Sequence, residues 1–284
     1  MSLINAAHLH KRYGNHHALD DFSMSVDSGR IVGLIGPNGS GKTTALKSML
    51  GLARLQGGDL QVLGLDPYRD RAELMRRTTY VADVGILPRW MRISDLLAHV
   101  AAVNPAFDRE RAEIQLAKTD IRIGKKVRTL SKGMTVQLHL ALVLATDVEL
   151  LVLDEPTLGL DILYRQAFYD GILNDYFEEQ RSIVITTHEV SEVEHILTDV
   201  VFIHRGRNVL TTAMDDIPQR FRKVTAGKDD TAALQALAPL SLRQTLQGVT
   251  AIYDGVDTQT LSQIGTVATP NLTDLFVAVV GGMQ

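Results

Sequence analysis

The chain has 284 residues, of which 45% are hydrophobic and 22% are charged, and its formal net charge at pH 7 is −4. This length and composition are ordinary for one large or two modest globular domains, and the lack of a basic block argues against nucleic acid as a partner. The sequence contains no cysteine, which excludes disulfide bonds and zinc sites with thiolate ligands.

The first residues and the apolar runs predict a cytoplasmic chain. The start, MSLINAAHLHKRYG, lacks the long apolar stretch and the cleavage site of a signal peptide. The longest apolar runs, LHLALVLA and LFVAVV, are far shorter than the roughly 18 to 20 residues that span a bilayer. We therefore expect no membrane-spanning segment.

The elements, taken in chain order, predict an α/β fold. Two early segments, INAAHLHKRY and HHALDDFSMSVDSG, alternate imperfectly and predict a small antiparallel β layer. The segment from 87 to about 145 has mainly helical periodicity. ELLVLDEP and RSIVITTHE contain continuous apolar runs, which predict parallel strands covered by helices on both faces. After about Gln219, short strands and turns predict a small C-terminal α+β extension.

A glycine-rich loop follows an early apolar strand. The run GPNGSGKT, from Gly36 to Thr43, lies between the strand-like RIVGLI and a helical pattern. Its glycines allow backbone N–H groups to surround phosphates, while Lys42 can reach the terminal phosphates and the Thr43 hydroxyl can bind magnesium. Because this chemistry requires the order strand, loop and helix, the motif predicts a P-loop NTPase core.

Two acids and a histidine follow the later apolar strands. In LLVLDE, Asp154 stands where it can hold magnesium through water, and Glu155 stands where it can activate a water molecule. His188 follows the strand SIVITT, from which it can reach the terminal phosphate or the attacking water. The three residues predict hydrolysis of a nucleotide held by the loop.

The stretch TLSKGMTVQL leaves two interpretations open. Ser131 can be a helix N-cap that satisfies a backbone N–H of the first turn. Gly133 costs a helix roughly 1 kcal/mol relative to alanine, so its place in the first turn indicates that something approaches the backbone closely. Because a helix N-terminus is also a natural anion site, these residues can also contact a phosphate.

Four motifs together resemble one family. GPNGSGKTT, LSKGM, LLVLDEPTLGLD and ITTHE, in that order and at ordinary separations, look like the ATP-binding subunit of an ATP-binding cassette (ABC) transporter. The resemblance covers residues 1–218, within which we place a helical subdomain at about 84–145, and it leaves 219–284 as the extension. LSKGM, in place of the commoner LSGGQ, is similar to the branch of exporters whose membrane subunit is a separate polypeptide.

The resemblance implies a role for each matching residue. Tyr13 would stack on adenine, Glu155 would activate the water, and His188 would be the switch histidine. Thr43 and Asp154 would hold Mg²⁺. The phosphates of ATP would be held by the Walker A loop, which consists of Gly36, Pro37, Asn38, Gly39, Ser40, Gly41, Lys42, Thr43 and Thr44.

The resemblance also implies partners. Ser131 and Gly133 would contact the terminal phosphate held by an opposite subunit, and the segment with Asp161 would cross to that subunit. Two nucleotide-binding subunits would therefore face each other around two ATP molecules. An integral membrane subunit would hold them at the cytoplasmic face of the membrane, and no nucleic acid is expected.

Three positions add expectations of their own. YVAD puts Asp83 where the family commonly has glutamine, and because aspartate is shorter and charged, we expect an altered magnesium contact there. Lys132 of LSKGM either adds positive charge near the nucleotide or points to solvent. The single tryptophan, Trp90, lies where the family receives a helix of the membrane subunit, and the alternative is a place in the core.

The predicted function is ATP hydrolysis that drives export through a separate membrane subunit. The alternative is a soluble cassette ATPase that acts on nucleic acid or ribosomes. Such proteins usually carry two cassettes or a long coiled-coil insertion, and neither is evident in this sequence. A small-molecule kinase would leave LSKGM and TLGLD without a role.

Overall fold

The computed structural model describes residues 2–82, 87–158, 160–175, 181–246 and 248–282. Its strands are β1 (Ser2–Tyr13), β2 (His16–Asp27), β3 (Ile31–Ile35), β4 (Gly57–Val62), β5 (Thr78–Val81), β6 (Leu150–Asp154), β7 (Ser182–Thr187), β8 (Asp199–His204), β9 (Arg207–Ala213), β10 (Phe221–Ala226), β11 (Ser241–Thr245), β12 (Gly248–Asp254) and β13 (Thr266–Ala268). Its α-helices are α1 (Lys42–Met49), α2 (Arg71–Leu74), α3 (Ile93–Val103), α4 (Arg109–Ala117), α5 (Lys132–Leu144), α6 (Ile162–Asp175), α7 (Val190–Val193), α8 (Ile217–Arg220), α9 (Thr231–Ala236), α10 (Thr258–Ser262) and α11 (Leu272–Gly281).

The central sheet has the strand order β5-β6-β7-β3-β8-β9, and its neighbouring strands run parallel except β8 and β9. Every residue of β3, β6 and β7 is buried, as expected for parallel strands covered on both faces. Parallel strands end at the same edge of a sheet, so these three bring the glycine-rich loop, the two acids and the histidine together. The predicted α/β class with a mainly parallel sheet is confirmed.

One face of the central sheet is covered by the antiparallel layer that the sequence predicted. The order in this layer is β2-β1-β4. Its buried side chains, such as Leu9 and Phe22, form one cluster with Leu34 of the central sheet and Leu46 of α1. This packing places the end of β1 and the start of β2 beside the loop that precedes α1.

Helices α3, α4 and α5 form a hydrophobic cluster of their own, which includes Leu97, Leu116 and Leu138. The other side of α5 contributes Val136 and Val143 to the cluster on the second face of the central sheet. Trp90 precedes α3 and is 71% exposed, so the core interpretation of this tryptophan is wrong. Among the helices of the described ranges, none combines the length and apolar character needed to cross a bilayer.

The C-terminal residues form a second antiparallel sheet with the order β11-β12-β10-β13. This sheet has a small core of its own, which includes Val224 and Tyr253. Helix α11 instead packs against the central part of the molecule, where Leu275 is fully buried in the same cluster as Phe202. The extension therefore shares a core with the central sheet.

Two polar contacts fix α11 in this position. The backbone N–H of Leu272 donates to the carboxylate of Glu194, just after α7, at 2.8 Å. Lys223 of β10 pairs with Asp274 at 2.7 Å. The first contact connects the C-terminal helix to the short segment that follows His188.

Candidate active site

The loop between β3 and α1 is shaped by glycines that its surroundings require. Gly41 has φ +110°, and a Cβ there would lie 2.3 Å from the carbonyl oxygen of Ala18 in β2. A Cβ on Gly36 would lie 2.3 Å from the carbonyl oxygen of Ile203 in β8. Since side chains are excluded at both positions, the backbone of the loop can approach its neighbours and a ligand closely.

Helix α1 begins directly after this loop. In the described structure its N-cap residue, Gly41, provides no side-chain hydrogen bond to the first turn. The N–H groups at the start of a helix lack partners within the helix, so those of α1 can bind an anion. On the far side of the loop, the Gly206 N–H donates to the Ser40 carbonyl at 2.8 Å and supports the loop from the β8–β9 turn.

A cavity of about 360 Å³ lies at this loop, which is within the usual size range of small-molecule sites. Three of its lining residues were not identified from the sequence: His16, Ala18 and Leu158. The other lining residues were all predicted for the site: Tyr13, Asn38, Gly39, Ser40, Gly41, Lys42, Thr43, Thr44, Glu155 and His188.

Tyr13 lies at the end of β1, at the rim of the cavity. Its side chain is 51% exposed, and the Lys11 ammonium lies 4.8 Å from its ring centroid. A cation over an aromatic ring is attracted by the negative charge of the ring face. The exposed tyrosine ring offers a flat surface on which a nucleobase can stack.

Glu155 is held between two other predicted site residues. Its Oε1 lies 3.3 Å from Lys42 Nζ, and its Oε2 lies 2.7 Å from His188 Nδ1. Lys42 also donates to the Gly36 carbonyl at 2.8 Å, and its side chain is buried. The lysine of the loop, the acid after β6 and the histidine after β7 therefore meet directly.

Asp154 accepts hydrogen bonds from three hydroxyl groups. Thr186 donates to its Oδ1 at 2.6 Å and Thr43 donates to the same oxygen at 3.2 Å, while Tyr80 donates to Oδ2 at 3.2 Å. Burial and the neighbouring carboxylate raise the pKa of Tyr80 to about 12, which keeps this donor protonated at neutral pH. Thr186 and Tyr80 were not predicted for the site.

The oxygen atoms of Asp154 and Thr43 are suitable ligands for a magnesium ion. Mg²⁺ prefers oxygen ligands and usually binds through one or two carboxylates while keeping several waters. The Thr43 hydroxyl and the Asp154 carboxylate, 3.2 Å apart, provide such oxygen atoms beside the phosphate loop. Asp83, the third predicted ligand, lies outside the described residues.

Ser131 and Asp161 cap helices within the chain. Ser131 Oγ accepts from the Met134 N–H at 3.2 Å, so its interpretation as an N-cap of α5 is confirmed. Asp161 Oδ1 accepts from the Tyr164 N–H at 3.2 Å in the first turn of α6. Neither residue lies in the lining of the cavity as the structure describes it, and neither does Gly133. Lys132, next to Ser131, is exposed.

The close approach predicted at Gly133 is made by an aromatic ring of the same chain. A Cβ on this glycine would lie 2.2 Å from Cε1 of Tyr164 and 2.5 Å from its hydroxyl oxygen. The ring of Tyr164, at the start of α6, therefore covers the first turn of α5. The glycine allows these two helices to meet, whether or not a nucleotide also contacts it.

This contact predicts an energetic coupling between positions 133 and 164. Gly133→Ala favours the helix by up to about 1 kcal/mol but must displace the ring, so we expect little net gain in the wild-type background. In a Tyr164→Ala background, Gly133→Ala should increase the free energy of unfolding. Urea unfolding of the wild type, the two single variants and the double variant should then give a coupling energy of about 1 kcal/mol. Effects that add within about 0.3 kcal/mol would show that the ring does not restrict position 133.

The segment after Glu155 is tied to α6 and α7 by polar contacts. The Thr157 hydroxyl lies 3.1 Å from the buried Tyr169 hydroxyl. Arg165 donates to the Leu160 carbonyl at 2.7 Å and also pairs with Glu192 of α7. Because α7 begins two residues after His188, these contacts connect the segment before Asp161 to the histidine of the site.

Comparisons with known proteins agree with this geometry. The profile of the ABC transporter family matches residues 19–158. Nod factor export ATP-binding protein I of Burkholderia thailandensis is 32% identical over 266 residues, which cover 87% of this chain and 84% of the relative. The protein of the same name from Burkholderia orbicola is 34% identical over 217 residues, covering 72% of this chain and 69% of the relative.

A solved structure of an ATP-binding subunit of an ABC transporter superposes with a TM-score of 0.66 at 26% identity, and it covers 76% of this chain and 92% of that chain. The glycine-rich loop lies within the part of the chain that the family profile matches. The identity and the coverage of the relatives show that the chain belongs to the ABC transporter family, as one of its ATP-binding, ATP-hydrolysing subunits.

Proposed function

We propose that this chain is the ATP-hydrolysing subunit of an exporter, in which two copies close on two ATP molecules and move a separate membrane subunit. The observation that carries the proposal is the meeting of Lys42, Glu155 and His188 at the phosphate loop. Export is supported by the relatives, which are named as Nod factor export ATP-binding proteins. The subunit would lie on the cytoplasmic face of the membrane, bound to its partner.

The site would bind ATP through charge and backbone donors. A terminal phosphate in the loop would compete with Glu155 for the Lys42 ammonium, which now lies 3.3 Å from that carboxylate. Binding would therefore separate the lysine from the acid and leave Glu155 free to take a proton. Tyr13 would stack on the base. Thr43 and Asp154 would hold a magnesium ion, whose positive charge would offset the charge of the phosphate oxygens.

Hydrolysis would use Glu155 as the general base. Its carboxylate would accept a proton from the attacking water as the water oxygen bonds to the terminal phosphorus. The bond from that phosphorus to the bridging oxygen would break, and its electron pair would leave with ADP. His188, 2.7 Å from the carboxylate, would hold Glu155 in the orientation that this proton transfer requires. Arg165 and Glu192 would transmit the position of the Asp161 segment to this histidine.

The second half of each site would come from the opposite subunit. Ser131 is exposed at the start of α5, Gly133 is buried beneath the ring of Tyr164, and neither residue lines the cavity of its own chain within the described residues. The N-terminus of that helix would contact the terminal phosphate held by the partner. The exposed side chains of Leu158, Ile162 and Leu163 would become buried when the two subunits meet.

Mixing two defective variants tests this arrangement. A Lys42→Ala chain lacks the phosphate lysine, and a Gly133→Asp chain carries a negative charge where the partner's phosphate should bind. A mixed dimer would contain one complete site, so we expect mixing to restore ATPase activity to at most about a quarter of wild type. Each variant alone should be inactive, and Gly133→Asp should still bind ATP. Mixtures that stay inactive would contradict a site shared between subunits.

Co-purification of the full chain tests the partner. Recovery of an integral membrane protein supports the exporter, whereas recovery of ribosomes or nucleic acid supports the alternative, a soluble cassette ATPase. The net charge of −4 favours the exporter over a nucleic acid partner. We retain the division into a nucleotide-binding domain at 1–218, with a helical subdomain at about 84–145, and an extension at 219–284. The helical subdomain and the C-terminal sheet each have a hydrophobic cluster of their own, while α11 packs into the core of the central sheet.

A further inference from the structure

The two acids of the site are connected by a single buried hydroxyl group. Thr186 lies on β7, opposite Asp154 in the parallel ladder, and is fully buried. Its hydroxyl donates to Asp154 Oδ1 at 2.6 Å and accepts from the backbone N–H of Glu155 at 3.1 Å. A hydroxyl has one hydrogen to donate and lone pairs to accept, so one group can hold both acids at once.

We propose that Thr186 is a positioning residue for ATP hydrolysis. Its hydroxyl fixes the position of the Asp154 carboxylate, which would hold magnesium, relative to the backbone of Glu155, the general base. The inference rests on the roles proposed above for Asp154 and Glu155. Thr186 would orient the Asp154 carboxylate and the backbone of Glu155, and it would not contact ATP itself.

The backbone of Glu155 needs such support. Its φ is +51°, in the left-handed region that residues with a side chain seldom adopt. Such conformations persist where the surrounding structure holds them, and they are frequent at active sites. The Glu155 N–H donates to both the carbonyl oxygen and the hydroxyl of Thr186, each at 3.1 Å. Thr186 therefore holds the chain where it turns out of β6.

The carboxylate of Asp154 also depends on this hydroxyl. Tyr80 occupies Oδ2, while Oδ1 receives Thr186 and the longer bond from Thr43. Without the Thr186 hydroxyl, the donor left to Oδ1 among these groups would be Thr43, whose oxygen the magnesium ion also needs. The carboxylate would then be less well oriented toward the ion. Residues that orient metal ligands typically affect metal affinity or activity by about 10- to 100-fold.

The sheet itself does not require a hydroxyl at such a position. Thr78 on β5 is also buried, and within the described residues its hydroxyl has no hydrogen-bond partner. Thr78→Val is therefore a matched control for Thr186→Val, since both changes replace a buried hydroxyl with a methyl group of similar size. Thr186→Ser provides the opposite change, because it keeps the hydroxyl and removes the methyl.

The test measures ATP turnover and ATP affinity for the wild type and these three variants. For Thr186→Val we expect kcat to fall about tenfold. The ATP affinity gained on replacing EDTA with Mg²⁺ should also fall about tenfold, and KM measured in Mg²⁺ should rise by a similar factor. Affinity in EDTA should stay unchanged. Thr186→Ser should behave like the wild type even if its melting temperature falls, and Thr78→Val should match the wild type in every measurement.

Two outcomes would overturn the inference. Thr186→Val could behave like Thr78→Val, which would show that the hydroxyl has no part in positioning. Thr186→Ser could lose turnover as Thr186→Val does, which would assign the effect to packing. The subunit-mixing experiment is independent of both, because a failure to restore activity there would contradict the shared site and leave the Thr186 comparison valid.

Discussion

Replacing Glu155 with glutamine should lower ATP turnover by at least about 100-fold while leaving ATP binding intact, since a general base contributes about 10²- to 10⁴-fold. Glutamine has nearly the same size and can still hydrogen-bond His188, but its amide cannot take a proton from water. It also removes the negative charge 3.3 Å from Lys42. The terminal phosphate of ATP would then not compete with a carboxylate for the Lys42 ammonium, so ATP affinity should stay the same or increase.

Three measurements check this expectation. Phosphate release gives the turnover, titration with ATP gives the affinity, and light scattering gives the mass with and without ATP. Because bound ATP is no longer consumed, the variant should accumulate as an ATP-dependent dimer. Glu73→Gln is the matched control, because that glutamate lies on the surface helix α2 and pairs with Arg76. Undiminished hydrolysis would remove Glu155 from the role of base, and a monomer in ATP would contradict the dimer.

Replacing Leu275 with alanine should destabilise the whole chain by about 2–5 kcal/mol, the usual cost of removing a buried leucine side chain. Leu275 lies on α11 and is fully buried in the cluster that also contains Phe202 of the central sheet. The adjacent Phe276 packs edge-to-face on Phe202, with ring centroids 5.2 Å apart. Loss of packing around Leu275 should therefore also lower the stability of the nucleotide-binding part.

Leu246→Ala is the control for this experiment, because Leu246 belongs to the same extension and is fully exposed. It should change the free energy of unfolding by less than about 0.5 kcal/mol. Urea unfolding followed by circular dichroism, together with ATPase activity at each urea concentration, should give one shared transition for Leu275→Ala. An extension that unfolds first, while ATPase activity persists, would show that the two parts are independent.

The central features of the site could be predicted because each is encoded locally. A continuous apolar run followed by glycines, or by two acids, specifies a strand and the chemistry at its end. The parallel arrangement then brings Lys42, Asp154 and His188 to one edge of the sheet. In the structure, the three strands that precede these residues are indeed parallel neighbours. The roles of these residues in catalysis stay predictions until the variants are measured.

The supporting hydroxyls could not be predicted in this way. Thr186 and Tyr80 serve Asp154 only because β7 and β5 flank β6 in a particular register, with Thr186 opposite Asp154 and Tyr80 opposite Val152. A threonine or tyrosine in a strand gives no sign of this register. The sequence likewise indicated a close approach at Gly133, but not that Tyr164 makes it, since that contact depends on how α5 and α6 pack.

The place of α11 has a consequence for biosynthesis. Its residues 272–281 supply part of the core that covers Phe202, although most of that core lies far earlier in the chain. A chain that lacked α11 would expose this apolar surface to solvent and to chaperones. The core of the nucleotide-binding part is therefore complete only when α11 is present, so chains cut short within the extension should aggregate or be degraded.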